Sequence, residues 1–311
     1  MEPMLGEGIR SDPEVQEQIG RLREVLGCSE LEPVTVGGES RTYLITGTDD
    51  LVTVPIGWPD RMERHDDLDR RLQLLGRIAD RVDVPVPRVV RALPREGCYV
   101  VRRLPGTPLS DLPARQAAAV EPVGRAVGRL LAELHTWDAE AYADIAPVDD
   151  YTPTDWLDET AELVRDLEPV LDAAQRRDVR EFLARPTPRA GRSAFSHNDL
   201  GIEHILVTES GPPRITGVID WGDAAVTDPA YDFGLLLRDL GPSAFDSALA
   251  AYAAKIDSFA DIPARVPFYA VCALLEDLAF GHADARPEYV EKSLRGWRWT
   301  FDTALGHTHS G

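Results

Sequence analysis

Lysine is almost absent from this 311-residue chain: of 33 basic residues only Lys255 and Lys292 are lysines, and the rest are arginines. Positive charge is scarce altogether, with a formal net charge of −20 at pH 7. Nucleic acid and anionic membrane both require a basic footprint, so neither is expected as a partner. A cationic small molecule would be attracted instead, and solubility alone is the competing account of the acidity. Cys28, Cys98 and Cys272 are odd in number, scattered and without C-x-x-C spacing. That excludes a disulfide framework or zinc site and leaves three buried thiols as the expectation. There is neither a run of about 18 uninterrupted apolar residues nor a basic-then-apolar N-terminal segment, so a cytosolic location is expected.

What is present divides into two regions. The first opens with a helix expected over 13–27, bounded by Pro13 and Gly27. Strand-like runs follow at 34–46, 50–57 and 98–106, rich in β-branched and aromatic residues. Between the last two, residues 64–81 carry Leu68, Leu72, Leu75 and Ile78 at helical spacing. Residues 84–90, VPVPRVV, read as an extended connection. This is a small α+β lobe, and a boundary is expected between 103 and 104. From 104 to 311 the chain turns mostly helical, with long amphipathic helices over 117–137 and 152–184 and further ones within 242–283. One pair of short strands, 204–210 and 214–220, interrupts them, joined by Ser210-Gly211-Pro212-Pro213.

That hairpin carries the chemistry. It is entered through His197-Asn198-Asp199 and left through Ile219-Asp220-Trp221-Gly222-Asp223. Antiparallel neighbours bring the loop before one strand beside the loop after the other, so Asp199, His204 and Asp220 converge at one mouth. A carboxylate there can orient and deprotonate a hydroxyl, and another can hold a divalent cation on nucleotide phosphates. Turn capping is the alternative use of these aspartates.

The pattern H-x-D-x-x-x-x-H, then strand, turn and V-I-D-W-x-D-x-x-x-x-D-P-x-x-D, resembles the aminoglycoside phosphotransferase family. The resemblance implies a bilobal, protein-kinase-like α+β fold, with residues 1–103 as a nucleotide-binding lobe and 104–311 as a catalytic and acceptor-binding lobe. It also implies Asp199 as the catalytic aspartate, His197 supporting the catalytic loop, and Asp220 with His204 as metal positions for Mg²⁺ or Mn²⁺. Asp223 matches a further acid of the motif. Asp228 and Asp232 fall in the D-P-x-x-D segment, where they would cap a helix and brace the catalytic loop. Asp232-Phe233-Gly234 spells the protein-kinase DFG but lies too late to be the metal site. The implied activity is ATP- or GTP-dependent phosphorylation of an antibiotic hydroxyl, giving resistance, by a monomer or homodimer. Aminoglycosides come first as acceptors, macrolides and other natural products next. A metabolic small-molecule kinase and a catalytically silent binding module stay open.

Two departures from the family pattern stand out. His204 replaces the usual Asn, as in the macrolide-phosphorylating branch; acting through water, favouring manganese, positioning the phosphates, or serving as a buried structural His are its open readings. The strand lysine that would meet the α- and β-phosphates is missing; alignment puts Thr53 there and Arg71 near the helix glutamate, so Arg71 is a candidate phosphate ligand, with a solvated helix face as the competing reading. The segment GGESRTY (37–43) lies where a phosphate-covering loop belongs, giving Ser40 and Arg41 as candidates, with an ordinary hairpin turn as the competing reading. Backbone groups from Val101 to Arg103 are candidates for the base edge. Glu203 is expected to be exposed. Glu276, Asp277, Asp284 and Glu288 are acids that could face the acceptor, and Trp156, Trp297 and Trp299 could stack on it or lie in the core.

Overall fold

The computed structural model describes residues 13–36, 40–56, 65–112, 120–137, 142, 144–256 and 261–307. It comprises two compact units, one of residues 1–81 and 85–104, the other of 82–84 and 105–311.

In the first unit, helix α1 (Pro13–Leu26) precedes strands β1 (Leu31–Val36), β2 (Ser40–Ile45) and β3 (Asp50–Pro55). Helix α2 (His65–Ala79) then leads to β4 (Val89–Leu93) and β5 (Cys98–Arg102). The five strands form one antiparallel sheet in the order β1-β2-β3-β5-β4. Strand alternation puts Tyr43, Ile45, Val52 and Val54 on one face, where they pack with Leu22 of α1, Leu93, Cys98 and Val100. Strand β4 was not legible: VPVPRVV is extended only to Arg88, and from Val89 it pairs with β5. Cys98 and Cys272 are buried, whereas Cys28 is only partly so.

The second unit contains α3 (Glu121–His135), α4 (Pro153–Leu167), α5 (Ala173–Leu183), α6 (Ala230–Ala253), α7 (Ile262–Ala283) and α8 (Pro287–Leu305). The 152–184 stretch splits because Asp172 caps a new start: it accepts from Ala174 and Gln175 N–H while the Gln175 side chain answers its own N–H. Helix α6 kinks at Gly241 (φ 77°), just before Pro242. Helix α7 is long and apolar enough to cross a membrane by length and composition, but much of it is buried within the unit.

Two small ladders sit among these helices. Strands β6 (Thr107–Pro108), β8 (Ile205–Val207) and β9 (Ile215–Val218) form one, and β7 (Ala194–Ser196) pairs with β10 (Ala225–Thr227) in the other. Only the β8–β9 pair was expected from sequence.

Candidate active site

The two ladders explain why two distant loops meet. Ser196 at the end of β7 pairs with Ala225 at the start of β10, and Ile205 at the start of β8 pairs with Val218 at the end of β9. The loop 197–204 and the loop 219–224 are therefore each anchored at both ends by the same two ladders. The Ile219 N–H extends the pairing by donating to the His204 carbonyl at 3.0 Å. Each loop turns through a left-handed residue, Asn198 (φ 64°) and Asp220 (φ 60°). Asn and Asp are the non-glycine types that best tolerate this conformation.

His197 is fully buried and links the loops, its Nε2 3.0 Å from the Ile219 carbonyl and its Nδ1 accepting the Asp199 N–H at 3.3 Å. Its ring lies 4.4 Å from that of Trp221. Burial lowers its pKa to about 3, so it stays neutral. Asp232 braces the loop as expected of the D-P-x-x-D segment, accepting the N–H groups of His197 and Asn198, each at 2.9 Å. Burial works to lift the Asp232 carboxyl to about 7, with the N–H donors opposing. Both oxygens act as acceptors, which is the geometry of an ionised carboxylate. Asp228 caps α6 by accepting the Ala230 N–H at 3.0 Å, and Arg265 and Tyr269 hold it from α7. Asp232-Phe233-Gly234 lies in the first turn of α6.

His204 joins the two loops. Its Nδ1 is 2.8 Å from the Asp199 carbonyl and 3.3 Å from Asp199 Oδ2, while Nε2 faces Asp220 Oδ2 at 3.7 Å. Burial works to lower the His204 pKa, but the carboxylates of Asp199, Asp220 and Glu203 outweigh it and the value lies above the ordinary one. Burial is also the main cause lifting Asp199 to about 7, although 40% of its side chain still meets water, which works against the rise. Asp220 is the most open of the three, its side chain 59% exposed. Asp223 is exposed and adds negative potential at Asp199. Among the described residues, no three His, Cys, Asp or Glu side chains form a ready-made metal site.

The candidates in the first unit are arranged differently. Gly37, Gly38 and Glu39 lie outside the described residues. Ser40 and Arg41 are consecutive in β2, so their side chains project to opposite faces and do not serve one phosphate together. Arg41 shares the face of Tyr43 and Ile45, and Ser40 shares that of Thr42 and Thr53, whose hydroxyls are 3.0 Å apart. Arg71 is exposed on α2. The stretch from Val101 to Arg103, expected at the base edge, runs out of β5. Val101 is aligned with Leu51 and Val89 inside the sheet, and the N–H groups of Arg102 and Arg103 already donate to the carbonyls of Arg88 and Asp49.

Other expectations also shift. Glu203 is not simply exposed: it pairs with Lys292 at 2.7 Å. Asp277 is tied to Arg238 and Lys292, each at 2.8 Å, and Glu288 to Arg286 at 2.6 Å. Trp297 is buried against Phe301, and Trp299 donates to the Leu237 carbonyl. Trp156 is partly exposed in an aromatic cluster, 4.9 Å from the Tyr231 ring. The charged pair Arg238-Asp239, set within the apolar run FGLLLRDLG, was a visible sign of a buried ion network that the sequence reading passed over.

The sequence model of the phosphotransferase enzyme family APH matches residues 30–269. Viomycin phosphotransferase of Streptomyces vinaceus is 27% identical over 201 residues, covering 64% of this chain and 69% of that protein. The GDP complex of wild-type aminoglycoside 2'-phosphotransferase-IIIa superposes with a TM-score of 0.68 at 20% identity, over 96% of this chain and 100% of that one. The apoenzyme of macrolide 2'-phosphotransferase MphH from Brachybacterium faecium gives 0.59 at 25% identity, over 89% and 96%.

Proposed function

The chain belongs to the APH phosphotransferase enzyme family, and from that premise we propose that it moves the γ-phosphoryl group of ATP or GTP to a hydroxyl of an antibiotic, conferring resistance. The observation that carries this reading is the meeting of Asp199, His204 and Asp220 at the mouth of paired loops, braced from behind by Asp232.

Asp199 would receive the acceptor hydroxyl, fix its direction and take its proton as the new P–O bond forms. His197 acts as a positioning residue, buried and neutral, holding the loop of Asp199 to that of Asp220. The His204 Nδ1–H donates to the Asp199 carbonyl, which leaves Nε2 directed toward Asp220; the surrounding carboxylates favour its protonated form, so it would act as a ligand on giving up that proton. The Asp220 carboxylate would suit a hard divalent ion that takes its other ligands from phosphate oxygens and water, as Mg²⁺ and Mn²⁺ do, and the His204 imidazole would hold Mg²⁺ through a water or bind Mn²⁺ directly. Such an ion, when bound, neutralises charge on the transferred group. We assign nucleotide binding to residues 1–103 and acceptor binding to 104–311. In the first of these, Ser40 and Arg71 are retained as candidate phosphate contacts.

The acidic chain favours a cationic acceptor. Trp156 and Tyr231 supply aromatic surface in the second unit, and the exposed Glu159 and Glu276 supply carboxylates. The viomycin phosphotransferase likeness places viomycin beside aminoglycosides and macrolides in the first panel to assay. Phosphoryl transfer from ATP and GTP, with Mg²⁺ or Mn²⁺, would be measured across that panel and across simple sugars and amino alcohols, with Asp199→Ala as control. Transfer to one antibiotic class, lost in the control, is the expected result. Transfer to a metabolite alone would overturn the resistance reading.

A further inference from the structure

Five charged side chains lie packed behind the loop that carries Asp199. Arg238 and Asp239 come from α6, Asp277 from α7, Lys292 from α8 and Glu203 from the loop itself. Arg238 meets Asp239 through two hydrogen bonds, at 2.7 and 3.0 Å, and reaches Asp277 at 2.8 Å. Lys292 bridges Asp277 at 2.8 Å and Glu203 at 2.7 Å. The Asp239 carboxylate also accepts the Ile202 N–H at 3.2 Å. Arg238, Asp239 and Lys292 are nearly inaccessible, at 5%, 1% and 7% of their side-chain surface.

This cluster grips one end of the catalytic loop, 202–203, just as Asp232 grips the other end, 197–198. Asp199 hangs between the two anchors, and His204, which follows Glu203, closes back onto the Asp199 carbonyl. Gly201 is part of the arrangement, because a Cβ there would stand 2.7 Å from the Glu203 carboxylate. The charges are three acids against two bases. Without the Lys292 ammonium, Arg238 alone would face Asp239, Asp277 and Glu203, and Glu203, the most exposed of the three, would be repelled toward solvent with the loop it belongs to.

We propose that Lys292 is a positioning residue for phosphoryl transfer, holding the Asp199–His204 loop in register through its ion pair with Glu203. It does not substitute for the missing phosphate-binding lysine, since its ammonium is occupied behind the loop. The proposal rests on the phosphotransferase reading above, so its test has one readout that needs no acceptor. That readout is amide hydrogen exchange of the segment 197–207 in the full-length wild type, Lys292→Met and Lys292→Met/Glu203→Gln. The second readout is kcat and KM for both substrates, with Asp199→Ala as the control for the reading itself.

For Lys292→Met, faster exchange confined to 197–207 is expected, with a fall in kcat of roughly tenfold to a hundredfold and KM little changed. Adding Glu203→Gln removes the unpaired acid, so slower exchange and part of the lost kcat should return. If Lys292→Met fails to fold, Glu203→Gln alone examines the same link from the loop side, with the same exchange and kcat expectations in milder form. A lower melting temperature with unchanged loop exchange and unchanged kcat would overturn the proposal and leave Lys292 a purely structural residue. No transfer by the wild type to any acceptor would count against the phosphotransferase reading, while the exchange data would still decide the link between Lys292 and the loop.

Discussion

Asp232 accepts the backbone N–H of His197 at 2.9 Å across 35 residues of chain, and its other oxygen accepts that of Asn198. One carboxylate at the head of α6 thereby sets the path of the loop just before Asp199. Asp232→Asn keeps the size but turns one acceptor into a donor aimed at an N–H. A loss of about 2–3 kcal/mol in unfolding free energy is expected, since a buried N–H loses a charged acceptor. Phosphoryl transfer should fall with it, because the loop is displaced. Urea unfolding and steady-state kinetics on the same preparation measure both.

Helices α3 and α6 touch backbone to backbone. A Cβ at Gly128 would overlap the Ala248 carbonyl oxygen, and one at Gly124 would overlap that of Ala244. Gly128→Ala, ordinarily favourable inside a helix, is here expected to destabilise by about 1–3 kcal/mol because the helices must part. A thermal-unfolding scan showing a higher melting temperature for the variant would contradict this packing.

Acid should weaken the fold through His135. This residue is fully buried beneath Tyr252, 2.9 Å from its hydroxyl, and burial lowers its pKa from 6.5 to about 3. Between those values the unfolded chain binds a proton that the folded chain excludes. Stability attributable to this residue is therefore complete above pH 6.5 and declines as pH falls toward 3, by up to about 1.4 kcal/mol per pH unit. His135→Gln does not titrate, so its unfolding free energy should depend on pH less steeply over that window. Equal slopes for variant and wild type in urea titrations at several pH values would refute the assignment.

How much of this was legible depended on how local the signal was. Asp199, His204 and Asp220 belong to two short motifs around one hairpin, and strand pairing brings such loops together whatever surrounds them. Strand β4 escaped notice because Pro85 and Pro87 mark an extended connection, while the pairing that begins at Val89 depends on β5. Ladder β7–β10 has three residues on each side and no periodicity to detect. Glu203 and Lys292 are 89 residues apart, and nothing local marks either as a buried partner of the other. The adjacent Arg238 and Asp239 did carry a cue, because two charges inside an apolar helical run must be paired when buried.

Stability and chemistry should separate most cleanly at Asp220. Its side chain is 59% exposed, and His204 Nε2 stands 3.7 Å from its Oδ2, beyond hydrogen-bond distance. The fold therefore gains little from the carboxylate. What the fold does require is a residue that accepts φ 60°, and Asn meets that requirement as well as Asp. Asp220→Asn should then unfold within about 0.5 kcal/mol of the wild type. In the proposed metal role, an amide oxygen would be a weaker ligand for a hard divalent ion than a carboxylate, and the site would lose a negative charge. Phosphoryl transfer should fall by roughly a hundredfold or more, with higher metal concentrations recovering part of it. Denaturation curves and metal titrations of kcat on matched samples would show the two effects side by side. A variant as active as the wild type at low metal would remove Asp220 from the metal site.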